Sequence, residues 1–253
     1  MNQPAEKPPE KPHVLTFADG LDIMAMLRDQ LEKPADDSQR FVRFCLDNVG
    51  WSAAQHLQDL WVAYELQSRR GGYFVEFGAM DGVKWSNSYA LEKHLGWNGI
   101  VSEPAHIWHP AVNTNRGCAV DRRCVWTKTG ETIRFNQTPI VGLSTIDAYS
   151  SSDGHARNRV AGERYDVETV SLTDLLAHWR APRRIDYLSI DTEGSEYDIL
   201  QAFDWSQYEI RLITVEHNHS DKRVPIFEML SGMGYVRKFE AFSHADDWYV
   251  LGY

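Results

Sequence analysis

The sequence predicts an α/β domain on an open, mostly parallel sheet, preceded by a helical segment. From Tyr73 onward, short apolar strands alternate with capped helical patterns, which implies right-handed crossovers between parallel strands. The first strand, Tyr73–Phe77, runs into a glycine-bearing turn and then a helix, and the second ends in an acid, Glu103. The last two strands, Tyr235–Phe239 and Asp247–Leu251, follow one another with no helical pattern between them, so they pair antiparallel at a sheet edge.

The elements can be justified in order. Residues 1–13 hold four prolines and no apolar core, which reads as a disordered tail rather than a signal peptide. Residues 14–70 read as a helical entry segment. Ile23, Met24, Leu27 and Leu31 fall at helical spacing, Pro34 ends that helix, and Asp36 to Ser38 reads as a linker. Ser52 and Gln55 have capping-box spacing ahead of a stripe of Ala54, Leu57, Trp61 and Tyr64, which Arg69-Arg70-Gly71-Gly72 closes. Residues 71–253 carry the sheet. Strands are expected at Tyr73–Phe77, Gly99–Ser102, Cys118–Trp126, Ile185–Ile190 and Ile210–Val215, with an extra one at Glu131–Phe135. Helices are expected from Asn87 to Leu95, after Ser171 with Asp174, after Ser195, and around Pro225. The polar stretch 136–166 is long enough to be a lid or binding loop.

Composition narrows the function. A chain of 253 residues suits one α/β domain with an N-terminal extension. The 26 Lys+Arg against 36 Asp+Glu leave a net charge of −10, which repels phosphate backbones, so no nucleic-acid partner is expected. No apolar run exceeds five residues, against the ~20 a membrane helix needs, so no transmembrane segment is expected. The three cysteines form no CxxC pair, which favours reduced thiols and a cytoplasmic location. Nothing in the pattern of 14–70 decides between a lid and a homo-oligomer surface.

The most informative stretch is Tyr73 to Gly82, where Glu76, Gly78, Ala79, Asp81 and Gly82 surround a strand-to-loop turn. Glycines there let a ligand approach the backbone at the carboxyl edge of the sheet. The spacing is not G-x-G-x-x-G, and no phosphate-binding Lys-Ser/Thr follows, so a nicotinamide dinucleotide is disfavoured. Glu103, 21 residues after Gly82 and just before Pro104, sits where an acid takes the two hydroxyls of a ribose. An acidic turn with no Lys or Arg beside it favours a cationic nucleoside, S-adenosylmethionine. Asn87 either helps hold its amino-acid moiety or caps the following helix.

Glu76-Phe-Gly-Ala-Met-Asp-Gly82, Ser86-Asn87, Leu91-Glu-Lys93 and Glu103-Pro104 together resemble the FkbM family of S-adenosylmethionine-dependent methyltransferases. The resemblance continues through Asp186 to Glu196, Val215-Glu-His-Asn218 and Asp246 to Val250, and upstream through Ser52 to Gln55 and Gln58 to Leu60. It implies a class I methyltransferase (Rossmann-like) fold with a seven-stranded, mostly parallel sheet whose last strand is antiparallel. It also implies O-methylation of a hydroxyl, often on a sugar or natural product. This chain has Ser189 where many members carry a lysine, so a lysine base is not expected.

Such a hydroxyl is a weak nucleophile and needs a general base or a metal. The fourth strand ends at Asp191 with Glu193 and Glu196 beyond, and the fifth ends at Glu216-His217-Asn218. If these strands are neighbours, Asp191, Glu193 and His217 are the catalytic candidates. Asp191, Glu216 and His217 would suit Mg²⁺ or Mn²⁺. Each has a structural alternative: Glu193 and Glu196 as helix-dipole partners, His217 as a hydrogen-bonded core histidine. Trp85, Trp108 and Trp248 are candidates for stacking on adenine or a sugar ring. The acceptor is expected to be a glycan or small-molecule glycoside. Alternatives are a polyketide or other non-sugar hydroxyl, or nucleoside binding without catalysis.

Overall fold

A computed structural model describes residues 16–140 and 142–252, and the proline-rich tail lies outside them. The chain divides into two compact units, residues 1–47 and 48–253. In the first unit, helix α1 (Phe17–Gln30) starts at Thr16, whose hydroxyl caps the Asp19 amide while the Asp19 carboxylate accepts from the Thr16 amide. The expected linker at 36–38 is instead the start of a second helix, α2 (Asp37–Asn48). The Asp36 carboxylate accepts from the Gln39 amide, an N-terminal cap that composition alone disguises as loop.

The first α-helix of the second unit is α3 (Gln58–Glu65), five residues later than the capping-box spacing implied. Ser52 does not cap it. Its hydroxyl donates to Asp59 at 2.6 Å, and the Ala53 and Ala54 amides donate to the same carboxylate at 2.8 and 3.2 Å. A fully buried acid with this many donors turns residues 52–57 into a fixed loop.

The remaining elements are β1 (Tyr73–Phe77), α4 (Tyr89–Leu95), β2 (Asn98–Ser102), α5 (His109–Asn115), β3 (Ala119–Asp121), β4 (Cys124–Trp126), β5 (Thr132–Gln137) and β6 (Thr145–Ile146). Then come α6 (Ala156–Arg159), β7 (Glu163–Ser171), α7 (Leu172–His178), β8 (Arg184–Ile190), α8 (Glu196–Ala202), β9 (Glu209–Glu216), α9 (Arg223–Gly232), β10 (Tyr235–Lys238) and β11 (Asp246–Leu251). Seven strands form the main sheet in the order β10-β11-β9-β8-β1-β2-β3, with β11 antiparallel to both neighbours. This is the expected open, mostly parallel sheet with an antiparallel closing pair.

One expected strand is two. The segment from Cys118 to Trp126 breaks at Asp121, whose carboxylate takes the Arg123 amide and guanidinium. β3 pairs with β2, whereas β4 joins β7 in a second sheet of order β4-β7-β5-β6. Residues 136–166 are therefore not a bare loop, since β6 and α6 lie within them.

The core is the expected apolar layer. Val75, Phe77, Ile100, Leu188, Ile190, Ile213 and Val215 from the sheet pack with Leu175, Leu176, Ile199, Leu200, Ile226 and Leu230 from the helices. Each such side chain contributes about 1.5–3 kcal/mol on burial. That layer fixes the strand ends, and the ends carry the chemistry.

Candidate functional site

A cavity of about 390 Å³ opens over the carboxyl ends of β2, β1, β8 and β9 and the start of β11. Glu103 rises from the tip of β2. Its two oxygens accept from the Met80 amide at 2.7 Å and the Ala105 amide at 2.8 Å, which fixes the carboxylate without exhausting its lone pairs. Burial is the main force pushing Glu103 up to about 7, against those two amides.

The β1 turn needs its first glycine. Gly78 has φ +78°, and a Cβ there would run into the Asp191 carbonyl oxygen at the end of β8. Gly82 at φ +80° makes room for the Arg116 stem. Gly78 lines the cavity, whereas Glu76, Ala79, Asp81 and Gly82 do not. Glu76 accepts from the Asn87 amide (2.6 Å), the Ser86 and Ser88 hydroxyls (2.8 and 2.5 Å) and Arg116 (3.3 Å). Those donors fill a carboxylate, so Glu76 shapes the segment after the turn. Asp81 likewise accepts from the Val83 and Lys84 amides, closing the turn on itself.

The segment Glu76 holds delivers Asn87 to the cavity. Asn87 is not the helix cap; Ser88 occupies that position. The Asn87 amide nitrogen donates to the Ser189 hydroxyl at 2.9 Å, and its Oδ1, buried at the cavity wall, has no hydrogen-bond partner among the described residues. Pro104 and Trp108 line the neighbouring wall and Trp85 lines the cavity too, whereas Trp248 is buried against Trp61 at 5.2 Å.

Across the seam formed by Gly78 and Asp191, the cavity turns acidic. Ligand oxygens of Asp191, Glu193 and Glu216 all lie within 4.8 Å of one another. Asp246 stands opposite Glu216 in the β11–β9 register, with Gln58 donating to it at 2.6 Å. Burial is the leading cause that pushes Asp191 up to about 8, Glu193 to about 9 and Asp246 to about 6. Neighbouring carboxylates add to each shift, and burial and the same neighbours push Glu216 well above the usual range. Glu193 is also bound by Arg159 at 2.6 Å and Asn218 at 3.1 Å. Glu196 does not line the cavity; it accepts from the Thr192 and Gly194 amides at the start of α8. No Lys or Arg lines the cavity among the described residues.

His217 is the expectation the structure corrects. It does not line this cavity; its Nδ1 accepts from the His219 amide at 3.0 Å, and its Nε2 lies 3.8 Å from Asp247. His217 lies one residue past the end of β9, and its ring is held by the His219 amide and Asp247 rather than by Asp191. Burial pushes the His217 imidazole down to about 4, so it is neutral in its packed position. The third oxygen-bearing group beside Asp191 and Glu216 is Glu193.

A family model described as the methyltransferase FkbM domain matches residues 76–248. The chain belongs to that family. The match runs from the acid that shapes the β1 turn to the middle of the closing strand, and so contains Glu103 and the β8 and β9 tips. With the strand order, it gives this FkbM-family chain a class I methyltransferase fold. No curated protein sequence matches the chain. Three of the solved structures that resemble it do so at low identity. The O-methyltransferase from Bacillus cereus in complex with SAH is 14% identical, with a TM-score of 0.40 over 91% of this chain and 97% of that one. Human methyltransferase 10 domain containing protein gives 11%, 0.40, 94% and 97%. Precorrin-6y C5,15-methyltransferase from Geobacter metallireducens GS-15 gives 13%, 0.37, 81% and 94%. Similarity this low does not bear on the reaction.

Sequence reading missed several wall residues of the FkbM-family cavity. Gln55, His56 and Gln58 reach it from the loop that Asp59 organises, and His155 and Asn158 from the 136–166 stretch. The family resemblance at Ser52–Gln55 and Gln58–Leu60 marks the first of these loops in sequence, whereas the Asp59 contacts that organise it show only in three dimensions.

Proposed function

We propose that the chain is an S-adenosylmethionine-dependent O-methyltransferase acting on a hydroxyl of a carbohydrate, glycan or glycoside. The observation that carries this reading is the lining of the cavity, rich in carboxyl groups and, among the described residues, without a cationic side chain on its wall. Glu103, Asp191, Glu193, Glu216 and Asp246 line it without a Lys or Arg among the described residues. Such a wall favours a cationic donor over a phosphate-bearing one. Glu103 suits the ribose diol, and the open Oδ1 of Asn87 suits the donor's ammonium group. When bound, S-adenosylmethionine supplies an electrophilic methyl group.

The acceptor then occupies the side over β8, β9 and β11. There Gln55, Gln58 and Asn158 offer amides, and Trp85 an indole face, a combination suited to a polyol. Ile140, Leu143 and Ile146, which also line the cavity, favour the alternative acceptor, an apolar metabolite with one hydroxyl. Asp191, Glu193 and Glu216 present clustered oxygen donors that fit Mg²⁺ or Mn²⁺, which there would lower the pKa of a bound hydroxyl. A cytoplasmic location is supported by the three unpaired cysteine thiols. Among the described residues no helix is long and apolar enough to cross a membrane.

Calorimetry with S-adenosylmethionine, its demethylated product and NAD⁺ tests the donor, with binding expected for the first two alone. A panel of glycans and glycosides incubated with labelled methyl donor tests the acceptor. Label in no carbohydrate but in hydroxylated polyketides would replace the sugar by the second reading.

A further inference from the structure

The strand order separates donor from acceptor. Glu103 on β2 and Gly78 on β1 mark the donor side, and neighbouring strand tips are spaced at roughly 5 Å. The acceptor hydroxyl therefore lies beyond β8, toward β9 and β11. With His217 turned away, the imidazoles lining the cavity among the described residues are His56 and His155. His56 is on the acceptor side: two residues on, Gln58 donates to Asp246 at the start of β11, and the His56 amide donates back to the Gln58 side chain at 2.8 Å.

On the methyl-transfer reading above, we infer that His56 is the catalytic residue that accepts the proton of the hydroxyl being methylated. The loop that carries it is built for placement. Asp59, with no exposed surface, takes the Ser52 hydroxyl and the Ala53, Ala54 and Leu60 amides, and Ala54 bridges to Trp85. The His56 ring stacks on His244 at 4.6 Å and 24°, which fixes its plane. Its ring nitrogens make no hydrogen bond to the described residues, so its edge is open to a ligand.

Burial and the neighbouring His244 ring both push His56 below the ordinary histidine range, leaving it neutral and able to take a proton at pH 7. In the step, a bond forms between the acceptor oxygen and the methyl carbon as the carbon–sulfur bond breaks. The bonding pair remains on sulfur, which becomes a neutral thioether, and the hydroxyl proton moves to the His56 imidazole.

His56→Gln and His56→Asn test this against wild type with labelled methyl donor and the glycan and glycoside panel. Turnover is expected to fall about 100-fold or more, with S-adenosylmethionine affinity by calorimetry within about twofold of wild type. The acid limb of kcat/KM, set below the ordinary histidine range in wild type, is expected to vanish in both variants. A merely structural histidine would move melting temperature or cofactor affinity instead. His56→Gln turning over as fast as wild type, or His155→Gln alone losing activity, overturns the assignment and leaves the methyl-transfer reading intact. A wild-type protein that binds no S-adenosylmethionine, or methylates nothing on the panel, overturns the carbohydrate methyltransferase reading and this assignment with it.

Discussion

The two halves of the cavity are assembled in different ways. The donor half comes from one run of chain, β1 through the residue after β2, and its carboxylates are held by amides and hydroxyls of that run, joined by Arg116. The acceptor half gathers four distant pieces: the loop before α3, the β6–α6 stretch, the β8 and β9 tips, and the start of β11. Its carboxylates crowd one another and are held away from their ordinary ionisation by burial. A site for one recurring ligand can be written in local sequence and rigid turns. A site for a variable acceptor is placed on loops that can change without disturbing the sheet.

Substitutions can break or sharpen that contrast. The largest effect is expected at Gly78, where the halves touch. Gly78→Val puts a branched side chain at positive φ against the Asp191 carbonyl and should cost about 3 kcal/mol or more, read as loss of soluble protein or of cooperative melting. Glu103→Ala should weaken S-adenosylmethionine binding by roughly 100-fold, about 2.7 kcal/mol, in calorimetry. Asp246→Asn, on the acceptor side, should leave that affinity within about twofold; an equal loss in both would erase the division into halves.

A smaller effect follows from the position of Glu103 near 7. The ionised carboxylate is the better acceptor for a ribose diol, so donor affinity should rise roughly tenfold between pH 6 and pH 8, and Glu103→Gln should flatten the curve. The smallest concerns stability. Asp191 is pushed up to about 8, above its unfolded value, so the folded state holds a proton the unfolded chain releases, and stability falls as pH rises toward 8. Asp191→Asn should remove that loss, raising the melting temperature by ~2–4 °C at pH 8 and little at pH 5.

The contrast also explains what the sequence made legible. The β1 turn, Glu103 and the closing antiparallel pair could be read because each is a contiguous pattern with a local physical cause. The 52–58 wall could not, since Ser52 and Gln55 imitate a capping box while the partner that organises the loop, Asp59, lies inside the helix they were thought to start. The direction of His217 could not be read either, since it lies one residue past the end of β9 and its ring is held by the His219 amide and Asp247. β7 is absent from the expected strands, although Tyr165, Val167 and Thr169 alternate with Asp166 and Glu168.

A crystal structure of the protein soaked with S-adenosylmethionine tests the central claim most directly. The account predicts the ribose diol on Glu103 and the sulfonium facing the tips of β8 and β9. An empty cavity, or a diol held by any other carboxylate, would contradict it.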